Sequence, residues 1–183
     1  IGGGEESFGY MVGDFVRDKD AVTSTLLACE IAAWAKAKGS SFYNELMQCY
    51  VDFGCYRERL VSLVRRGMDG AEEISRMMRA FRQDPPTSLD GSPIIRIDDY
   101  QESTSRNTRE GTNHPIDLPK SNVLIYTTED GTRLAARPSG TEPKIKFYVS
   151  VSGEISNPGE YPGAKKQLES KMDRVLEELN LNG

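Results

Sequence analysis

The sequence has few of the features that mark membrane, secreted or zinc-binding proteins. Its apolar runs are all far shorter than the ~20 residues needed to cross a bilayer, and its first residues show no basic-then-apolar signal pattern. Its three cysteines, Cys29, Cys49 and Cys55, form no Cys-x-x-Cys pair, and its single histidine is His114. This usage predicts a reduced, cytoplasmic protein without a zinc site.

An excess of basic charge is also lacking. The 183 residues include 23 Lys and Arg against 28 Asp and Glu, which gives a formal net charge of −5. Because nucleic-acid binders that work through bulk charge are usually basic, this balance disfavours that class. The length allows one or two domains, and the opening Ile1-Gly2-Gly3-Gly4 without an initiator Met suggests a piece of a longer protein.

The first third of the chain predicts two helices after a glycine-rich segment. Residues 1–17 are expected to form a loop, and Asp18 and Asp20 then offer N-cap carboxylates for a helix over 21–38. A second helix is expected over 40–53. Two of the cysteines fall on these helices, where a free thiol usually packs as a small hydrophobe.

The remainder of the chain predicts an α+β domain, an antiparallel sheet with helices on one face. Asp69 with Glu72 resembles a capping box, whereas residues 101–121 are polar and are expected to form an exposed excursion with little regular structure. The predicted elements are a strand over 60–64, a helix from Asp69 to Pro85, a strand over 93–97, a hairpin of 123–126 and 133–136, a strand over 145–151 and a helix over 168–179.

The segment from Arg137 to Lys144, Arg-Pro-Ser-Gly-Thr-Glu-Pro-Lys, is the strongest candidate for chemistry. It combines a guanidinium, two hydroxyls, a glycine that allows close approach to backbone amides, and two prolines that stiffen the loop. Those groups suit a phosphate. Because Ser, Gly, Thr and Pro are also ordinary turn residues, composition alone favours a simple polar hairpin turn.

The longer segment 137–148 closely resembles the phosphate-binding loop of the phosphoglucomutase/phosphomannomutase family, the α-D-phosphohexomutases. Two upstream segments strengthen the resemblance. Residues 4–9, Gly-Glu-Glu-Ser-Phe-Gly, are similar to the family's sugar-binding loop, and residues 17–20, Arg-Asp-Lys-Asp, are similar to the charged motif beyond it. The Glu-Glu-Ser-Phe-Gly variant is more like phosphoglucomutases than like bacterial phosphomannomutase/phosphoglucomutases.

The resemblance implies a domain organisation. Residues 1–54 would be a largely helical remnant of the family's third, sugar-binding α/β domain. Residues 55–183 would be the whole fourth, phosphate-binding domain, an α+β unit similar to the TATA-binding-protein fold. The chain would then be the C-terminal part of the enzyme.

The resemblance also implies a reaction and a set of residues. Family enzymes interconvert glucose 1-phosphate and glucose 6-phosphate through a phosphoserine and a bisphosphorylated sugar, with Mg²⁺ and glucose 1,6-bisphosphate as cofactors. Carried onto this chain, Lys19 would act as a general acid/base. The residues that would bind substrate are Glu5 and Ser7 for sugar hydroxyls, Arg137, Ser139, Gly140 and Thr141 for the phosphate that is not transferred, and Lys146 as a further phosphate contact.

The sequence contains no phosphoryl-acceptor serine motif and no Asp-Gly-Asp-x-Asp-Arg metal loop of the family type. We therefore expect this piece to be inactive alone and to bind no cofactor itself. Its expected partners are a phosphosugar and the N-terminal domains of the same protein, with no nucleic acid and no membrane, and self-association through the helix over 21–38 is also expected. The alternatives are a phosphomannomutase or phosphopentomutase and, from another class, a non-catalytic sheet-based binding module.

Overall fold

The computed structural model describes residues 2–5, 9–65 and 69–181. The chain divides into two compact units, residues 1–53 and residues 54–183. This division concerns compactness alone, so the assignment of residues 1–54 and 55–183 to two domains of one family stays a prediction.

The first unit begins with paired strands, and the predicted loop over residues 1–17 is therefore wrong in part. Strands β1 (Gly2–Gly4) and β2 (Tyr10–Val12) pair in antiparallel register, with Gly3 opposite Met11. A run of glycines carries no alternation of apolar and polar side chains that could reveal a strand. The unit therefore contains strands besides its predicted helices.

Helices α1 (Ala21–Ala37) and α2 (Phe42–Phe53) confirm the two predicted helices. Asp20 has extended backbone angles and accepts hydrogen bonds from the amides of Val22 (3.0 Å) and Thr23 (3.4 Å), as an N-cap does. Asp18 does not cap α1, because its carboxylate accepts from the amide of the next residue instead.

Both helices of the first unit leave most of their apolar side chains exposed. Ala35 is the buried residue of α1 and Met47 that of α2. Cys29 and Cys49 are exposed free thiols, so their expected packing as small hydrophobes is wrong for the described residues. The large apolar side chains exposed on these helices are Val22, Leu26, Leu27, Trp34, Phe42, Tyr43, Leu46 and Phe53.

The second unit is an α+β layer built on an eight-stranded sheet, as the sequence predicts. Neighbouring strands in the order β3-β10-β9-β8-β5-β6-β7 are antiparallel, and β4 pairs with β5 off this path. The strands are β3 (Cys55–Val64), β4 (Ser88–Leu89), β5 (Ser92–Asp99), β6 (Thr104–Asn107), β7 (Thr112–Pro115), β8 (Leu124–Thr128), β9 (Arg133–Pro138) and β10 (Lys144–Gly153). The helices are α3 (Gly70–Gln83) and α4 (Tyr161–Glu178), the second after a 3₁₀ turn at Pro158–Glu160.

The core lies between the sheet and these helices. Alternate residues of β10, from Ile145 through Phe147 and Val149 to Val151, are almost completely buried, which confirms the predicted alternation. The ring of Phe81 on α3 lies 5.9 Å from that of Phe147 in an edge-to-face arrangement. The sheet therefore turns its apolar face to the helices and keeps the opposite face for polar side chains.

The predicted excursion over residues 101–121 is wrong, because β6 and β7 form a hairpin that extends the sheet. Strand β6 pairs with β5, and the amide of Gly111 donates to the carbonyl of Asn107 to close the turn. Every residue of β7 is exposed. Exposed polar strands at a sheet edge carry no hydrophobic alternation, so periodicity could not detect them.

The predicted capping box of Asp69 with Glu72 does not form. Asp69 has helical backbone angles (φ −85°, ψ −8°), and its side chain makes no capping hydrogen bond. A capping side chain needs extended backbone geometry to reach the amides that follow it. Helix α3 instead begins at Gly70, and a Cβ atom there would lie only 2.2 Å from the carbonyl oxygen of Arg65.

Candidate functional site

The phosphate-loop candidate is the tight turn between β9 and β10. The amide of Ser139 donates to the carbonyl of Lys144 (2.8 Å), and the amide of Lys144 donates to that of Glu142 (2.7 Å). The Ser139 hydroxyl oxygen accepts from the amides of Thr141 (3.4 Å) and Glu142 (3.3 Å). Gly140 and Thr141 therefore sit at an exposed tip whose backbone is held by Ser139.

The predicted basic residues of this loop are brought together by strand pairing. Arg137 lies directly opposite Lys146 in the register of β9 with β10, so both side chains project from the same face of the sheet. Together with Pro138, Ser139 and Lys144 they line a concave site of about 170 Å³. An arginine and two lysines around one small concavity produce a positive local potential.

Arg137 is the cation of this concavity best placed for a ligand. Its side chain is exposed, and among the described residues no carboxylate lies within ion-pair distance of its guanidinium. Lys144, in contrast, pairs with Glu142, and the hydrogen bond from Lys144 lowers the pKa of the Glu142 carboxyl. The turn therefore presents an exposed arginine, whose planar cation matches the geometry of an oxyanion.

Residues at the end of β3 and the start of α3 hold the backbone of the turn in place. The amide of Arg65 donates to the carbonyl of Pro143 (2.9 Å), and the Nε of Arg65 lies 2.6 Å from Oε1 of Glu73. Because Gly70 packs against the backbone of Arg65, the N-terminal turn of α3 touches the same residue that touches the loop. Sequence patterns gave no signal for this support, since its contacts join residues far apart in the chain.

In the first unit, the predicted Glu5 and Lys19 form an ion pair. Nζ of Lys19 lies 3.4 Å from Oε1 of Glu5 and 3.9 Å from Oδ1 of Asp18. About half of each side chain of the Lys19–Glu5 pair remains exposed, so both can reach a ligand from solvent. Ser7, the other predicted sugar contact, lies outside the described residues.

Gly9 is a site residue that sequence analysis missed. Its carbonyl accepts from the amide of Glu5 (2.9 Å). A Cβ atom at this position would lie 2.3 Å from Cδ of Lys19 and 2.6 Å from Oε1 of Glu5. Only a glycine lets both side chains lie against the backbone here. Gly9 closes the Gly-Glu-Glu-Ser-Phe-Gly segment, but residue order carries no signal for its contact with Lys19.

The described residues contain no group of three or more His, Cys, Asp or Glu side chains that could hold a metal ion. No helix among them is long and apolar enough to span a membrane.

Two family models match the chain in consecutive order. Residues 1–50 match the α/β/α domain III of phosphoglucomutase/phosphomannomutase, and residues 92–154 match the C-terminal domain of the same family. The first match includes Glu5, Ser7 and Lys19, and the second includes the turn between β9 and β10.

Curated relatives and a crystal structure agree with these matches. The chain is similar to the phosphoglucomutase of Staphylococcus haemolyticus (strain JCSC1435), with 38% identity over 81% of this chain and 27% of the relative. It is 40% identical to that of Staphylococcus aureus (strain MRSA252), over 80% of this chain and 26% of the relative. The chain thus spans about a quarter of the length of the curated relatives it matches.

The fold is similar to part of the open form of the exocytosis-sensitive phosphoprotein pp63/parafusin, a phosphoglucomutase from Paramecium. The TM-score is 0.54 at 17% identity, over 94% of this chain and 28% of that one. At this level of identity the likeness concerns the fold alone.

Proposed function

The chain belongs to the phosphoglucomutase/phosphomannomutase family, and on that premise we propose that it is the substrate-binding C-terminal part of a phosphoglucomutase. The complete enzyme would interconvert glucose 1-phosphate and glucose 6-phosphate through a phosphoserine and a bisphosphorylated sugar. The observation that carries the proposal is the exposed Arg137 guanidinium beside Ser139 and Lys146 in one concavity. The names of the relatives favour glucose phosphates over mannose or pentose phosphates.

The turn between β9 and β10 would bind the phosphate that is not being transferred. Arg137 would donate two parallel hydrogen bonds, and the amides at Gly140 and Thr141 and the hydroxyls of Ser139 and Thr141 would contribute further donors. Lys146 would add charge from the facing strand. Because the bisphosphorylated sugar turns over so that each of its two phosphates would occupy this position in turn, fixed donors that recognise any phosphate monoester suit the reaction.

Glu5 and Ser7 would bind adjacent sugar hydroxyls and hold the ring while its two phosphate ends exchange. Lys19 would act as a general acid/base toward the hydroxyl that loses or gains the phosphoryl group. Its ion pair with Glu5, at 3.4 Å, keeps the ammonium beside the carboxylate that would bind the sugar.

Mg²⁺ and glucose 1,6-bisphosphate would serve the complete enzyme, with the metal and the phosphoserine held outside residues 1–183. This piece would be inactive alone, and we place it in the cytoplasm from its cysteine usage. Residues 1–54 would be the remnant of the third domain and residues 55–183 the fourth.

The apolar side chains exposed on α1 would also drive self-association of the isolated chain, which sedimentation at increasing concentration would detect.

The proposal is tested by Arg137→Ala in the complete enzyme. Loss of a bidentate, charge-assisted contact of about 1.5–3 kcal/mol should lower kcat/KM for glucose 1-phosphate by about 10- to 100-fold. Arg133→Ala is the matched control, because Arg133 is an exposed arginine on the same strand and face but does not line the concavity. Equal kinetics for the Arg137→Ala enzyme and the wild type would refute the assigned role.

A further inference from the structure

A second concave region lies at the other end of the sheet. Two adjoining cavities of about 380 Å³ and 240 Å³ share Pro85, Ile97 and Arg106 in their walls. We call this region the Arg106 cavity. It has no residue in common with the concavity at the turn between β9 and β10.

The Arg106 cavity lies on the helix side of the sheet. Arg106 lies opposite Ile97 in the register of β6 with β5, and Ile97 lies opposite Tyr126. Tyr126 packs near Phe81 of α3, so all these side chains project from the helix side of the sheet. Helix α3 ends at Gln83, and Pro85, two residues later, lines both parts of the cavity.

Among the described residues that line the cavity, one cation has no carboxylate partner. Nε of Arg82 lies 2.8 Å from Oδ2 of Asp99, and both side chains are mostly buried, so these two charges offset each other. The other carboxylate oxygen of Asp99 accepts from the amide of Gln101. Among the described residues, no carboxylate lies within ion-pair distance of Arg106.

Further donors lie beside this arginine. Asn113 is opposite Arg106 in the register of β6 with β7, and Thr104 lies two residues before Arg106, so both share its face of the sheet. Both also line the smaller cavity. Pro85 and Ile97 add apolar surface to the same cavity. The region therefore combines a planar cation, an amide and a hydroxyl with apolar surface, which is the composition of a small-molecule site.

We propose that the Arg106 cavity binds a small organic anion, a carboxylate or a phosphomonoester. Its oxygens would accept two parallel hydrogen bonds from Arg106, and its apolar part would lie against Pro85 and Ile97. The proposal is independent of the proposed mutase function, because it uses none of the residues assigned to the phosphosugar.

The test is a titration of the ¹⁵N-labelled 183-residue chain, carrying Arg137→Ala, with benzoate, phenyl phosphate and inorganic phosphate. The Arg137→Ala background removes the other proposed anion site. We expect saturable amide shifts at Thr104, Arg106 and Asn113 at ligand concentrations on the order of tens of millimolar, since so small a ligand binds weakly. A response to benzoate alone identifies a carboxylate, and a response to phenyl phosphate alone identifies a phosphomonoester.

Two variants of Arg106 and one control decide whether the arginine carries the binding. Arg106→Gln should abolish the saturable shifts, and Arg106→Lys should weaken them, because lysine keeps the charge without the planar fork. Arg76→Gln, which removes an exposed cation earlier on α3, should leave them unchanged. The proposal is overturned if neither organic probe produces saturable shifts, or if inorganic phosphate is the only ligand that produces them. It is also overturned if the Arg106→Gln variant shows the same saturable shifts as the Arg137→Ala chain from which it is made.

Discussion

The two compact units of this chain are stabilised to very different degrees by their own residues. In the second unit, large side chains such as Tyr126, Phe147 and Met172 are almost completely buried between sheet and helices. In the first unit, Trp34 is 56% exposed and Val22 78% exposed, although both lie on a well-capped helix. Local capping and helix propensity can therefore form an element, but only burial against other elements stabilises it substantially.

The largest expected effect comes from removing an aromatic side chain from the second unit. Phe147→Ala deletes a fully buried ring that packs against Phe81, and should lower the free energy of unfolding of that unit by about 3–5 kcal/mol. Trp34→Ala, the matched change in the first unit, should cost less than about 1 kcal/mol because its side chain is half-exposed. Urea denaturation followed by circular dichroism measures both.

The single tryptophan makes the comparison directly observable. Since Trp34 lies in the first unit, its fluorescence reports that unit, whereas the circular dichroism of the sheet reports the second. Fluorescence should change at a lower urea concentration than the sheet signal, and Phe147→Ala should move only the later transition. Coincident transitions would show that the two units unfold together and would refute the contrast.

A smaller loss is expected from the partly buried ion pair in the second unit. Arg82 donates to Asp99 (2.8 Å) and to Asn122 (2.8 Å), and only 16% of the Arg82 side chain is exposed. Arg82→Ala leaves the carboxylate desolvated without its cation, and should cost about 2–3 kcal/mol in thermal or urea unfolding. Arg79→Ala, an exposed position on the same helix, should change the stability by less than about 0.5 kcal/mol.

Acid should weaken the second unit through two hairpin carboxylates. Hydrogen bonds from Arg174 lower the pKa of Asp90. Burial raises the pKa of Asp130, but hydrogen bonds from Lys171 and Thr128 outweigh it and hold that pKa well below the usual range. Because both pKa values are depressed in the folded state, their stabilisation is present above about pH 4 and is lost as the pH falls through the folded values.

The size of this acid effect should be about 1 kcal/mol or less for each group, since solvent screens the partly exposed Asp130. Urea midpoints measured between about pH 5 and pH 2 test this acid effect. The Asp90→Asn variant should reduce the slope of the urea midpoint against pH. Asp117→Asn, at an exposed carboxylate, should leave the slope unchanged. An equal slope for Asp90→Asn and wild type would contradict the assignment.

The smallest effect on stability is expected at Gly9. Gly9→Ala should change the free energy of unfolding by less than about 1 kcal/mol, because the atoms it meets belong to the flexible side chains of Lys19 and Glu5. It should nevertheless separate this pair, which a changed ammonium resonance of Lys19 would report. An unchanged resonance would show that the close approach of Gly9 does not hold the pair together.

The sequence predicted the parts of the fold that repeat with a clear period. The alternation of β10 and the helices α3 and α4 were accessible because burial on one face imposes spacing on apolar side chains. Helix α1 was accessible from its N-cap, Asp20. The hairpin of β6 and β7 was not, since its strands are polar and exposed. The support of Pro143 by Arg65 was also inaccessible, because it depends on which strands become neighbours in the sheet.

The candidate site, too, could be predicted only in part from the sequence. Arg137, Ser139 and Lys146 could be named because they lie close together along the chain in a recognisable motif. The contribution of Gly9 and the neutralisation of Lys144 by Glu142 could not, because both depend on side-chain positions rather than on residue order.

The most direct measurement is a titration of the ¹⁵N-labelled chain with glucose 1-phosphate. We expect saturable amide shifts concentrated on residues 137–141, weak in affinity and absent from the Arg137→Ala variant, because the guanidinium and the turn amides bind the phosphate oxygens together. Arg133→Ala should titrate like the wild type. An absence of shifts at residues 137–141 with glucose 1-phosphate on the order of tens of millimolar, or identical shifts in the Arg137→Ala variant, would contradict the account.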